Sequence, residues 1–441
     1  MKRLAVALSL LALACVASAQ APAGSAVAPA QATPGGAPLT LPQAEATALK
    51  NNPQITVGKL RALVAQQYVR ESRSALLPFA SASLTAVDSN PGSRMTAGFL
   101  NNPILFPRAA AGASVSQLVT DFGRTTNLVS SSEYGAKAED QNAAATRADI
   151  LLAVDQAFYN SLDTKALVRV AEDTVQARQA LVDKVQALFD AKLKSELDLS
   201  FAKVELARAK LLLLEARNNY QASLAALSAI LGYPNEQNFQ LVEETGPLTP
   251  PAPEVESLIQ QALQQRPEIK ALQFEVQSAE KFGNAEHDLW RPTVGALGVV
   301  GEAPVRDNHI PNWYGAVGVN INIPVFNGFL YNARAKAADL QSEVNRRRLN
   351  DLRDNIARDV RNSWQDTNSA YERLSVTQQL REQASLGLDL AQARYNLGLG
   401  SIVEFTQAEL QKTDADIQDT DAHYQYLLSQ LVLAFEMGLS R

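Results

Sequence analysis

The hydrophobic period of this chain switches between helical and strand spacing, and it does so twice. Between Trp313 and Ile323, the residues Val317, Val319, Ile321 and Ile323 alternate with Gly318, Asn320 and Asn322, the period of two expected of a strand with unlike faces. Phe79–Val87 sets Ser81, Ser83 and Thr85 against Ala82, Leu84 and Ala86, and Ala113 and Val115 alternate with Ser114 and Ser116. A further segment, Thr293–Gly301, alternates poorly but stands where the order of elements requires a strand. The pattern therefore predicts strands at about 79–88, 109–120, 293–302 and 313–325. Lengths of about 9–11 residues suit tilted strands crossing a membrane.

Around these strands the spacing is helical. Residues 41–77 and 254–290 carry apolar positions one helical turn apart, as at Leu60, Leu63 and Val64, and stop at Pro78 and Pro292. A residue before proline resists the α region, so a helix ends there. After each second strand comes an unusually long helical stretch, about 126–190 and 331–397, then a returning one at about 196–231 and 402–438. A helix of about 65 residues reaches roughly 97 Å. No single globular domain needs that length.

The two halves are copies. A shift of 214 lays Ala262-Leu263, Pro267, Ile269 and Pro292 on Ala48-Leu49, Pro53, Ile55 and Pro78, and a shift of 206 lays Asn327, Ser401 and Glu404 on Asp121, Ser195 and Asp198. The chain thus divides into a first repeat at 39–233, a proline-rich linker at 234–253 and a second repeat at 254–441. The eight-residue difference falls between the two strands of each unit, where surface loops tolerate length change.

Before the first repeat, Lys2 and Arg3 precede an apolar run and Ala17-Ser18-Ala19 offers a small-residue cleavage site, so residues 1–19 read as an export signal. Residues 20–38, rich in Ala, Pro and Gly, read as a flexible leader. The one cysteine, Cys15, lies inside the signal, and a lipoprotein box at Ala12-Leu13-Ala14-Cys15 is the alternative to cleavage after Ala19. Either way the exported chain carries no disulfide and no thiolate site. A net charge of −6 offers nothing to nucleic acid.

Four strands cannot close a membrane barrel, because barrels begin at about eight and an open edge in lipid strands its backbone groups at several kcal/mol each. Strands that cross a membrane here must be shared among copies. Two copies give eight strands and three give twelve, and the pattern alone leaves both open. The long helices also bury their apolar stripes only when packed side by side into a tube.

The doubled order of helix, proline, strand, loop, strand, Asp-Phe-Gly or Phe-Asn-Gly, long helix, tip and return helix resembles the TolC-type outer-membrane efflux proteins. The motifs that carry the resemblance are Leu41-Pro42-Gln43-Ala44 through Asn51-Asn52-Pro53, Leu76-Leu77-Pro78, Asp121-Phe122-Gly123-Arg124, and Arg394-Tyr395 through Gly398 to Ser401 and Glu404. The resemblance implies a mainly α fold with a β-barrel portion: a homotrimer whose twelve-stranded outer-membrane barrel continues into a long periplasmic α-helical barrel. It also implies a passive exit duct for efflux or type I secretion, with outer-membrane lipid around it. Its partners would be a periplasmic adaptor protein and an inner-membrane pump of the RND or ABC type.

Carried over residue by residue, the resemblance puts Glu404 in an acidic ring at the periplasmic entrance. It puts Asp198 and Tyr395 among residues that hydrogen-bond across neighbouring coils and hold the tips closed. The ring's second acid is Gln407 here, and the arginine of the closing lock is replaced by Gly400. The tips that would meet the adaptor hold Lys192, Lys194 and Ser195 in the first repeat and Gly398, Gly400 and Ser401 in the second. Trp290, Trp313 and Tyr314 stand at strand ends, where amphipathic rings favour a membrane interface. Asp198 and Glu404 have a plainer reading as first-turn helix acids.

No cofactor, metal site or catalytic constellation is expected. Asp414, Asp416, Asp419 and Asp421 lack the glycine of a calcium loop and read as a solvated helix face. His287, His309 and His423 are scattered. The competing reading is a structural or adhesive periplasmic coiled-coil protein, for which paired period-two strands would not be expected.

Overall fold

The computed structural model describes residues 38–88, 90, 108–243, 248–303 and 311–439. The export signal, Cys15, all of the leader but Pro38, and His309 lie outside them. The first repeat comprises α1 (Leu41–Asn51), α2 (Pro53–Ser74), β2 (Phe79–Val87), β3 (Arg108–Thr120), α3 (Arg124–Asp190) and α4 (Glu196–Ile230). The second comprises α5 (Val255–Gln265), α6 (Pro267–His287), β5 (Thr293–Glu302), β6 (Trp313–Asn322), α7 (Leu330–Asn396) and α8 (Ile402–Glu436). Two short strands, β1 (Pro38–Leu39) and β4 (Gln240–Leu241), pair in parallel, so the end of the leader and the linker meet.

Each lead-in helix is broken in two, at Asn52-Pro53 and Arg266-Pro267. Asn52 sits at ψ 123° and Arg266 at ψ 128°, extended values that the following proline imposes. Asn52 turns the break to use, because its side chain accepts from the Gln54 amide and donates to Ile230 O. The long helices α3 and α7 have 67 residues each, or roughly 100 Å. Both start from a pair of left-handed residues, Phe122-Gly123 and Gly328-Phe329. In the first repeat, Asp121 secures that start by accepting from the Gly123 and Thr125 amides.

β2, β3, β5 and β6 form one antiparallel sheet in that order, so the two hairpins join through β3 and β5. β6 stops at Asn322, ahead of Pro324, which has no amide to donate. The poor alternation of β5 has a physical reason: a Cβ on Gly301 would come within 2.6 Å of Ala111 O and of the Tyr314 ring. Tyr314 lies across Gly301 and Gly112, so room for the ring takes precedence over alternation. No helix among the described residues is long and apolar enough to cross a membrane.

The helices form a wall in the order α4, α3, α8, α7, with α2 on α3 and α6 between α3 and α7. At mid-height the linker straps it. Lys165 donates to Leu241 O, Tyr426 and Gln430 to Thr249 O, and Trp364 to Ala252 O, which ties α3, α8 and α7 to one strand of chain.

Beneath that strap, Asp163 of α3 faces Asp421 of α8, and its Oδ1 is buried without a hydrogen-bond partner. Burial, and then the Asp421 charge, push the Asp163 carboxyl up to about 6. A carboxyl raised in the folded state contributes stability fully below its unfolded value near 4, and that contribution is lost as pH rises through about 6. Asp163→Asn should therefore raise thermal stability at pH 8 by about 1–2 kcal/mol, allowing for screening, and leave it nearly unchanged at pH 4. Melting curves at the two pH values check this.

Candidate functional site

The long helices end at two tips, built on one pattern with different chemistry. At the first, Lys192 takes the left-handed φ of 61° that Gly398 takes, at 74°, in the second. Ser195 and Ser401 then cap α4 and α8 by accepting from the amides of Asp198 and Glu404. Asp198 completes a capping box, its carboxylate accepting from both the amide and the hydroxyl of Ser195. Glu404, at the same register, turns away to Arg394 and accepts from its Nε at 2.9 Å. Arg394 also reaches Leu399 O, so the cation bridges the turn.

That pair adds a basic partner to the acidic position expected here. Glu404 faces a guanidinium of its own chain. Gly400 packs against both, because a Cβ there would lie 3.1 Å from the Glu404 carboxylate and 3.3 Å from Arg394 Cβ. A spacing of ten residues across a turn follows no helical period, so the pair is not readable from pattern.

Tyr395 is 3 % exposed, in a core that draws Leu181 and Val185 from α3, Leu199 and Ala202 from α4, and Phe405 from α8. Its ring stacks on Phe405 at 5.5 Å and 9°, and Lys194 from the first tip lies 4.1 Å above it. The Tyr395 hydroxyl is buried and makes no hydrogen bond within the chain. Burial, with the Asp198 charge second, raises its pKa. Lys194 and Tyr395 thus join tip to tip through a cation–π contact, backed by a 2.6 Å bond from Lys184 to Asn396. Around them the tips expose Leu193, Leu197, Leu397, Leu399 and Val403, an apolar patch that a search for charged residues passes over.

The aromatic residues at the strand ends differ in setting. Trp313 and Tyr314 open β6 and are exposed, whereas Trp290 is anchored edge-on to Tyr331 and donates to Asn332. Three of the four α8 aspartates are individually satisfied, Asp414 by Gln418, Asp416 by Lys412 and Asp419 by Arg381, and the fourth, Asp421, faces Asp163. No group of three acid, His or Cys side chains among the described residues is placed to hold a metal ion.

The profile of the outer membrane efflux protein family matches residues 46–233 and 258–439. The chain belongs to that family. It is 22 % identical over 401 residues to the outer membrane protein TolC of Escherichia coli, covering 88 % of this chain and 80 % of TolC. Its fold is that of the Campylobacter jejuni CmeC outer membrane channel, with a TM-score of 0.77 at 17 % identity over 91 % of this chain and 86 % of CmeC. VceC from Vibrio cholerae gives the same TM-score at 18 % identity, covering 90 % of this chain and 96 % of VceC. The protein is thus a non-enzymatic outer-membrane efflux channel with a large periplasmic helical portion. Family members form trimers and work with adaptor and inner-membrane pump partners.

Proposed function

We propose that three copies of this chain close into a twelve-stranded barrel and a continuous helical tube, forming the passive exit duct of a tripartite efflux or secretion system. The observation that carries this reading is a set of missing partners on one pair of flanks at every level. In the sheet, β5 pairs with β3 across the repeat boundary, and the equivalent neighbour of β2, a β6, is absent. In the upper wall α6 sits between α7 and α3, whereas its counterpart α2 packs on α3 and leaves a groove of 1140 Å³ lined by Val57, Leu60, Val64 and Tyr68. In the lower wall α8 meets α3 and no such neighbour covers α7 or the outer flank of α4, where Leu197, Val204, Leu386 and Leu390 are exposed. One rotation that brings the β6 and α7 flank of a copy onto the β2, α2 and α4 flank of the next satisfies all three levels. That is a heterologous contact able to close into a ring.

The tips then gather around the axis. Glu404 with Arg394 forms the entrance ring, Asp198 and Tyr395 hold the tips, and Trp313 and Tyr314 mark the membrane interface. Lys192, Lys194, Ser195, Gly398, Gly400 and Ser401, with the exposed tip leucines, present the surface for a periplasmic adaptor bound to an RND or ABC pump. Planar bilayers containing the purified protein should show discrete channels that reach a high-conductance state; silent bilayers despite incorporation would overturn the conduit.

A further inference from the structure

The two shifts that lay one repeat on the other also relate their contacts. A shift of 214 for the lead-in helix and first strand, and of 206 for the second strand and long helix, carries the β2–β3 hairpin onto the β5–β6 hairpin. Phe79 opposite Ser116 becomes Thr293 opposite Asn322, and Ala82 opposite Ala113 becomes Ala296 opposite Val319. The same shifts carry the ion pair of Arg73 in α2 with Glu133 in α3 onto that of His287 in α6 with Asp339 in α7. The two repeats thus follow one plan, residue by residue. Between them runs a seam in which β3 pairs with β5 and α3 packs on α6. Applied to that seam, the shifts point outside the chain, because β3 and α3 become β6 and α7 while β5 and α6 become β2 and α2.

Resting on the three-copy reading above, we infer that the contact between copies repeats this seam residue for residue. β6 of one copy runs against β2 of the next in a register that sets Ile321 opposite Leu84, and α7 packs on α2 with Leu340 against Leu60. The parent contacts are Val115 opposite Gly298, and the ring of Tyr134 stacked on Phe274 at 6.3 Å. Three features that played no part in the transfer agree with it. First, Val319, Ile321 and Ile323 fall opposite Ala86, Leu84 and Ala82, while Asn320 and Asn322 fall opposite Thr85 and Ser83. A slip of one residue would set apolar against polar along the whole ladder. Second, the β3–β5 ladder shifts register between Leu118 and Thr120, positions that become Pro324 and Phe326, so the residue without an amide falls where the ladder is already broken. Third, Leu60, Val64 and Leu340 are each half exposed or more in the single chain.

The chemistry of the seam changes on transfer. Inside the chain it is polar and aromatic: the Ser131 and Ser278 hydroxyls meet at 3.1 Å, and Asn127 donates to Asp288. Between copies the hydroxyl pair becomes Ala337 facing Val64, and the Asn127 pair becomes Ala333 facing Ser74. Directional bonds hold the first seam as the chain folds. The second is an aliphatic stripe buried only on assembly, which accounts for the exposed leucines and valines of these flanks.

Cysteine cross-linking of the full chain in isolated outer membranes tests the register. The sole cysteine, Cys15, lies in the export signal, so introduced pairs are the only free thiols. β2 and β6 are opposite edges of the sheet, and α2 and α7 opposite flanks of the wall, so neither pair can close within one copy. Leu84→Cys with Ile321→Cys, and Leu60→Cys with Leu340→Cys, should each oxidise to a covalent three-chain band on a denaturing, non-reducing gel. The band should vanish on reduction, and each single variant should run as one chain. Directly opposed Cα atoms lie about 4.5–5.5 Å apart, and those displaced by two residues about 7–8 Å, beyond the reach of a disulfide. Ile321→Cys with Ala82→Cys or with Ala86→Cys should therefore oxidise at least about tenfold more slowly. The helix pair lies outside the sheet and reports the seam even where strand cysteines lower insertion. A displaced pair that matches or outpaces Ile321 with Leu84, or a helix pair that fails to cross-link in a particle of three chains, would overturn the inference and leave the conduit standing. A particle of one chain would overturn both.

Discussion

Proline at Val317 and proline at Gly318 are each expected to abolish the membrane-inserted oligomer. Along a strand, successive amides point to opposite edges, so of two adjacent residues in β6 one donates toward β5 and the other toward the outer edge. Proline removes the donor, so it is excluded from a strand wherever a ladder partner depends on that amide. In an isolated four-stranded sheet β6 is an edge, and a proline facing outward would be tolerated. If β6 pairs with β2 of the next copy, both edges are used and neither proline fits. The loss is then repeated in every copy of the ring. Detergent-extracted membranes, separated by native electrophoresis, report the outcome: tolerance of one of the two prolines would mean that the outer edge of β6 has no strand beside it.

The second large effect concerns ion selectivity, and its sign depends on Arg394. With Glu404 alone at the entrance, a ring of three carboxylates would favour cations, and Glu404→Ala would simply remove the preference. The structure places Arg394 2.9 Å from Glu404, so in the proposed trimer the two charges would be present in equal number. Arg394→Ala should uncover the carboxylates, raise the cation-to-anion permeability ratio on the order of tenfold, and create block by multivalent cations from the periplasmic side. Glu404→Ala should leave three guanidiniums and move selectivity toward anions. Reversal potentials in asymmetric salt measure both. Loss of cation preference in Glu404→Ala without a shift toward anions would indicate that Arg394 does not face the ions.

Why some of this was readable from the sequence and some was not follows from how each feature is encoded. The long helices and their tips are written locally: apolar spacing sets α3 and α7, and Ser195 and Ser401 cap the returning helices at matching register. β6 shows its alternation from Val317 onward, where a Cβ on Gly318 would meet nothing within 4 Å. β5 hides its own, because Gly301 must make room for Tyr314, a residue of the neighbouring strand. The breaks at Asn52 and Arg266 were signalled by Pro53 and Pro267, although the apolar spacing carries straight through them.

The entrance was legible in outline only. Ser195, Asp198, Gly398 and Ser401 stand at the turns because capping and left-handed φ restrict the residues that fit there. Pairings across turns and between helices carry no such signature. Arg394 meets Glu404, Lys194 meets Tyr395, and Arg178 meets Glu409 through tertiary proximity alone. The strand count did announce an incomplete object, since four strands that cross a membrane must be shared among copies.

That last point is the centre of the account, and the mass of the intact particle tests it most directly. Native mass spectrometry of the protein extracted from outer membranes in mild detergent should give a particle of three chains that stays together until the detergent or charge state is made harsh. A stable, dispersed monomer under the same mild conditions would contradict a shared barrel and tube.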